Sequence, residues 1–506
     1  MSADDNVPHA GGAHAVTTPA EDAPRRLSRA QKIHESTPPE RNRVVDLLRA
    51  LAITVVVIGH WTIIAVSAES GLEPHGVLDH ARWTHPLTWI FQVMPIFFLV
   101  GGYSNALSWR SARRRNQTYA AWVRARLRRL GIPLVPLLIV WLIICAVSLA
   151  AGADPSTVRL ASQMALIPTW FLASYLMVIA VAPACFVLWE RFGWWSVLGG
   201  ILLAGVVDAV SISLGSPLLG YPNYLIVWAA FHQLGFAWVD GRLSRASTRW
   251  ALIGIGAAGL ALLVGLGPYP VSMISAAGDA ISNSSPTRVT MAFLGLVQAG
   301  VVLLLEKPLA ALMQRPRLWF LAVMVNLRIM TWFLWHLTAM VGVGTLLWWL
   351  ASAGGGSSAG AGHAASAPGP LATAAGHSAG AGHSAAGDPG PLATVAQALL
   401  PEPLSGTWWA TRPLWWLALL LVTAVLVLVF GRFESVPADP RPAPPLWQPL
   451  TAAVCIVAGL GVLAGSGMVS ARTGTLMWWL PLLPIAGVLC FGVVNWRPRS
   501  RDTLEP

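Results

Sequence analysis

The chain has 506 residues, of which 55% are apolar and only 11% charged, against roughly 25% charged for a soluble globular domain. Water is therefore excluded as the solvent for most of it, and lipid is the expected environment. The formal net charge of +11 would suggest nucleic acid in a soluble protein, but in a membrane chain it reports basic residues gathered in cytoplasmic loops, and no nucleic-acid partner is expected.

Residues 1–42 are polar, rich in Ala, Pro and charge, and hold no apolar core or cleavage site, so they read as a disordered cytoplasmic tail rather than a secretory signal. Arg25-Arg26 is not followed closely by the apolar stretch that a twin-arginine signal needs. A bilayer core about 30 Å thick calls for about 20 apolar residues per helix. Windows of about that kind fall at residues 44–66, 87–107, 130–150, 166–188, 194–210, 224–239, 250–266, 289–305, 329–350, 414–430, 450–463 and 476–494. The prediction is an all-α polytopic membrane bundle of about twelve helices. Ten belong to one domain over residues 43–435. A Pro-rich linker over 436–449 leads to an appended pair over 450–494, and residues 495–506 form a second cytoplasmic tail.

The distribution of arginine tests the count. With the N-terminus cytoplasmic, the inner side collects Arg41, Arg43, eight arginines from Arg110 to Arg129, and most of those that follow, whereas the outer side holds only Arg82, Arg159, Arg288, Arg412 and Arg472. A miscounted helix would swap the sides, so the bias supports an even number of spans with both termini cytoplasmic, in a multi-pass cell-membrane protein. Between the ninth and tenth windows, residues 351–399 are Ala, Gly, Ser, His and Pro, and a tandem repeat returns Ala359-Gly360-Ala361-Gly362-His363 as Ala379-Gly380-Ala381-Gly382-His383. This composition cannot bury a core and predicts a flexible external loop. Its histidines, His363, His377 and His383, lack the fixed geometry a metal site requires. Cys145, Cys185, Cys455 and Cys490 fall inside apolar windows and read as small apolar residues, with no disulfide or zinc pattern. No metal is expected.

Ionisable residues inside membrane helices are expensive and so are functional candidates. In the first window Arg49 and His60 are separated by ten residues. An offset of eleven at about 100° per residue puts both on one helix face, about 16 Å apart along the axis. Asp46, three positions before Arg49, lies near the same stripe and can pair with it. One reading has an anionic donor held by Arg49 and reacted at His60, whose imidazole suits general-base work near neutral pH. The other has an Asp46–Arg49 pair that fixes the helix end and a histidine hydrogen-bonded to a neighbouring helix.

At these residues the chain resembles a known family. Val45-Asp46-Leu47-Leu48-Arg49-Ala50-Leu51-Ala52 followed by His60 is similar to the opening helix of the acyltransferase 3 family of membrane O-acyltransferases, with Leu47 where many members have glycine. Met94 to Ser104 resembles the aromatic-rich second helix, with Gly101 in place of the usual serine. Trp122 to Pro133, containing Arg126 and Arg129, resembles the basic loop. Trp170-Phe171-Leu172, Trp332 to His336, and Phe433-Glu434 resemble later family motifs, in order.

The resemblance implies an acyltransferase that uses an acyl-CoA, most simply acetyl-CoA, as donor substrate. Its acceptor would be a hydroxyl of a cell-envelope carbohydrate, glycolipid or related molecule. Arginine forks suit the donor phosphates, and Arg126 and Arg129, one helical turn apart, are expected to grip the same phosphate group beside Arg49. His60 is the expected base, with Asp46 and His336 as accessory groups. His232 reads as a packing residue. Asp208, in the external half of a short helix, is expected to line a water-filled cavity, where acceptor binding is one reading. The rival reading from another class is a multi-spanning transporter or flippase, against which the absence of an evident repeat between halves counts.

Overall fold

The computed structural model describes residues 28–67, 71–73, 76–276, 279–353, 391–437 and 442–489. The repeated segment with His363, His377 and His383, and Cys490, lie outside them.

Each of the twelve apolar windows centres on a helix. In chain order the helices are α1 (Arg29–Glu35), α2 (Arg43–Ile63), α3 (Gly76–His80), α4 (Thr88–Phe91), α5 (Met94–Arg114), α6 (Tyr119–Gly131) and α7 (Leu134–Ala150). Then come α8 (Pro155–Leu166), α9 (Pro168–Phe192), α10 (Trp194–Ser213), α11 (Asn223–Val239), α12 (Ala246–Gly265), α13 (Val289–Leu304) and α14 (Glu306–Leu312). The last are α15 (Pro316–Leu327), α16 (Ile329–Ala353), α17 (Pro391–Leu399), α18 (Gly406–Phe430), α19 (Trp447–Ser466) and α20 (Trp479–Leu489). Strands β1 (Ala65–Ser67) and β2 (Gly71–Glu73) pair antiparallel beyond the end of α2, with Val66 opposite Leu72.

The chain is an all-α membrane bundle. Among the described residues, and against the twelve apolar windows, eight helices have the length and apolarity to cross a bilayer, and ten do if two bent pairs, α6 with α7 and α13 with α14, each count as one. The bends are 41° and 56°. The difference has a physical source. Helix α11 is only 17 residues long and is buried along most of its length, from Val227 to Trp238, so neighbouring helices rather than lipid cover it. The described part of the last window is the 11-residue α20.

Burial sorts the layers. The apolar stretches of α2 and α9 are 61% buried, whereas those of α10, α12 and α18 are 22% buried and face lipid. Helices α5 and α11 form the tightest crossing at the centre. A Cβ at Gly102 would lie 1.9 Å from the His232 carbonyl oxygen, and one at Gly235 would lie 2.3 Å from the Tyr103 nitrogen, so only glycine permits this backbone approach.

Three segments are more ordered than their composition suggested. Within the tail assigned as disordered, Arg29–Glu35 is helical because Ser28 and Gln31 form a reciprocal capping box. Its following turn docks on α15 through the Trp319 indole, which donates to Thr37 at 2.9 Å. Within the external loop, α17 buries Ala393 and Ala396, and Gln397 donates to the Ala351 carbonyl at 3.3 Å. The last two helices pack against the rest of the bundle. Helix α19 lies against α8 and α9, with Gln163 donating to the Gly465 carbonyl at 2.8 Å and the Met468 amide donating to Ser162 at 3.1 Å. Helix α20 reaches α6, where a Cβ at Gly131 would stand 2.7 Å from Val488.

Candidate active site

Helix α2 begins at Asn42, whose side chain accepts from the Val44 and Val45 amides at 3.0 and 3.4 Å, satisfying two of the orphan donors at its end. Asp46 is buried in the first turn, where a carboxylate complements the helix dipole. It accepts from Arg41 Nε at 2.6 Å and from Arg49 Nη1 at 3.5 Å. The other arm of Arg49 donates to Ser104 on α5 at 2.7 Å. Arg49 is therefore held from two sides with its fork turned into the protein.

Fourteen positions past Asp46 on the same helix, His60 meets His336 of α16. His60 Nδ1 and His336 Nε2 are 2.9 Å apart, and the rings are within 5° of parallel. His336 is completely buried, and its Nδ1 stands 2.7 Å from the Phe333 carbonyl oxygen. A carbonyl only accepts, so His336 carries its proton on Nδ1 and presents a lone pair at Nε2. This arrangement suits a His60 that donates from Nδ1, the tautomer in which Nε2 is the basic nitrogen. The Trp61 indole donates to the His336 carbonyl at 3.1 Å and pins the two helices together at this level.

Between the arginine and the histidines runs an aromatic wall. Phe97, Phe98 and Tyr175 pack around Phe171, whose ring also touches Phe333 at 5.3 Å between centroids. Tyr175 can stand against α5 because residue 101 is glycine: a Cβ there would lie 2.9 Å from the Tyr175 ring.

The two arginines expected to grip one phosphate behave differently. Arg126 lies over the Trp122 ring at 3.8 Å and donates to Ser108 and to Asn105 on α5, the latter at 3.4 Å. Arg129 instead lines a cavity of about 950 Å³ together with Arg124, Arg128, Arg328, Asn326 and Glu434. The two still belong to one electrostatic group, since Arg129 and Tyr175 each interact with both Arg49 and Arg126. The cavity opens beside the start of α2, because Asn326 on its wall donates to the Asp46 carbonyl at 2.9 Å.

Glu434 acts on the other helix of the site. Its carboxylate accepts from the Met330 and Thr331 amides at 3.1 and 3.2 Å and from the Thr331 hydroxyl at 2.9 Å. It therefore closes the N-terminal end of α16, the helix that carries His336.

Asp208 lines no water-filled space. It is fully buried, and its oxygens accept from Asn223 at 2.8 Å, Arg288 at 3.1 Å, the Val289 amide at 2.7 Å and Tyr269 at 3.2 Å. It is a satisfied knot joining α10, α11 and the start of α13. His232, also fully buried, receives Asn105 at 3.1 Å and so stands behind the residue that Arg126 touches. Among the described residues no group of three His, Cys, Asp or Glu could hold a metal.

Sequence reasoning passed over Ser104, Asn105 and Ser108, which orient Arg49 and Arg126. Their spacing on α5 was the available signal, because residues three and four apart, such as Asn105 and Ser104 with Ser108, share a face. Arg328 was assigned to the basic loops and Tyr175 was not singled out.

Comparison with curated proteins and with solved structures finds no match. A family model described as an acyltransferase domain matches residues 42–432, more than three-quarters of the chain and most of the region just described. With that span matched and the helices in place, the chain belongs to the acyltransferase 3 family and is a membrane acyltransferase.

Proposed function

We propose that this enzyme moves an acyl group, most simply acetyl, from a coenzyme A thioester to a hydroxyl of a cell-envelope carbohydrate, glycolipid or related acceptor. The observation that carries the proposal is the pair of contacts from His60 Nδ1 to His336 Nε2 and from His336 Nδ1 to the Phe333 carbonyl, which supports an Nδ1–H tautomer of His60 with a basic Nε2. That nitrogen takes the acceptor O–H proton as the oxygen attacks the thioester carbonyl. A C–O bond forms, the C–S bond breaks, and the departing thiolate recovers the proton as free thiol. His336 is the positioning residue for His60, and Asp46 anchors Arg49.

The donor would enter by the arginine-lined cavity, which we assign to the cytoplasmic side from the bias of basic residues. Arg129 would meet its phosphates first, and Arg49 and Arg126 would hold the inner end of the anion. The flexible arm of the donor would then follow the aromatic wall to His60, about 16 Å farther along α2. Membranes carrying His60→Ala are expected to insert the protein normally yet move no label from [¹⁴C]acetyl-CoA into glycan or lipid. Unchanged acceptor labelling in that variant would defeat the assignment.

A further inference from the structure

Two of the buried arginines, Arg288 and Arg412, lie outside the basic helix α6, and of these two only Arg288 makes an ion pair among the described residues. Arg288 is matched by Asp208 at 3.1 Å. Arg412, on α18, is 2% exposed and makes no ion pair among the described residues. Its guanidinium sits over the rings of Trp408 and Trp415 at 4.3 and 5.2 Å. Its Nε–H donates to the Trp408 carbonyl at 3.2 Å. A guanidinium carries five N–H donors, so four are left without a protein acceptor among the described residues. The indole N–H groups of the same Trp408 and Trp415 are also buried without a partner.

Cation–π contacts offset part of the cost of burying a charge, but they satisfy no N–H. A cation whose terminal N–H groups, like two neighbouring indole N–H groups, have no acceptor among the described residues is complementary to an anion, and the arginine fork matches a phosphate or carboxylate edge. Buried ionisable groups in membrane bundles without a structural partner mark ligand pathways.

The position of Arg412 identifies which ligand. Helices α2 and α16 meet at the His60–His336 pair and the bond from the Trp61 indole to the His336 carbonyl. A Cβ at Gly344 would touch Val66 at 3.3 Å and the Trp415 ring at 3.9 Å. Gly344 lies eight residues past His336, about 12 Å farther from the Arg49 end, and Arg412 is one turn of α18 from Trp415. Cationic sites therefore lie on opposite sides of His60.

We propose that Arg412, with the Trp408 and Trp415 indoles, binds an anionic group of the acceptor, a phosphate or carboxylate, while the acceptor hydroxyl reaches His60. The proposal rests on the acyl-transfer reading, which assigns the Arg49 end to the donor. An acceptor bearing such a group would be discriminated from a neutral sugar at this point.

The test uses the full-length protein in phosphatidylcholine nanodiscs with coenzyme A at saturation, so that donor arginines are occupied. Inorganic phosphate is the probe, read by thermal unfolding and by indole fluorescence. Phosphate is expected to raise Tm and perturb fluorescence in the parent protein. Arg412→Gln should weaken apparent binding on the order of tenfold or more, with Arg412→Lys intermediate. His60→Ala should keep the full response, so that failure of the chemistry and failure of this site show in different variants. An equal response in Arg412→Gln and the parent, or no response in either, overturns the proposal. So does stabilisation by phosphatidylglycerol in the nanodisc with none from phosphate, which would make this a lipid site.

Discussion

Removing the His336 imidazole tests the tautomer argument directly. In His336→Ala the 2.9 Å contact to His60 Nδ1 is lost, while the bond from Trp61 is kept because it ends on the backbone carbonyl of residue 336. The helices should therefore stay aligned. A neutral hydrogen bond contributes about 0.5–1.5 kcal/mol net, and 1.36 kcal/mol corresponds to a factor of ten. Its loss should lower the fraction of His60 rings with a basic, correctly aimed Nε2 to roughly a tenth, and kcat should fall on the order of tenfold. General-base catalysis contributes about 10²–10⁴-fold, so the loss should remain well short of that in His60→Ala. KM for acetyl-CoA should not move, because the donor arginines lie at the other end of α2. His336→Gln, whose carbonyl can accept from His60, should recover part of the rate. The assay is label transfer from [¹⁴C]acetyl-CoA in proteoliposomes supplied with membrane extract. Parent-level kcat in His336→Ala would refute the relay, and so would a raised KM with unchanged kcat.

Two further outcomes follow from the geometry. Arg129→Ala removes a cavity-lining cation while leaving His60 untouched; a hydrogen bond to a charged group contributes about 1.5–3 kcal/mol, so KM for acetyl-CoA should rise roughly ten- to hundredfold with little change in kcat. In Gly102→Ala the new methyl group would stand 1.9 Å from the His232 carbonyl, and thermal denaturation in detergent should show at least the roughly 1–3 kcal/mol cost of overpacking, whereas Gly59→Ala, with open space around it, should leave Tm unchanged.

The helices were legible because a 30 Å apolar solvent demands long apolar runs, and few other structures satisfy the backbone there. Arg49, Asp46 and His60 were legible together because one helix carries all three, and helical spacing is a local property. The pairing of His60 with His336 was not, since 276 positions separate them and no local rule brings α2 against α16. The division between Arg126 and Arg129 was hidden for a related reason. Spacing places them on neighbouring faces of α6, but the polar groups of α5 decide that Arg126 turns inward. Asp208 misled because a lone carboxylate in an apolar run looks functional until its four donors, three of them more than 50 positions away, are known.

The family match ends at residue 432, yet the physical unit does not. Glu434 lies two positions beyond it and closes the end of α16 through three hydrogen bonds. The linker that follows runs across the basic helix, with the Pro442 carbonyl accepting from Arg124 at 3.0 Å. Helix α19 then fills the groove beside α8 and α9, and α20 packs on α6, the helix that carries Arg126 and Arg129. A bent helix pair such as α6 and α7, turned by 41°, exposes backbone and basic side chains at its break, and such a break is tolerated at membrane depth only where protein covers it. The last two helices supply that cover on one side, packed against the helix that carries Arg126 and Arg129.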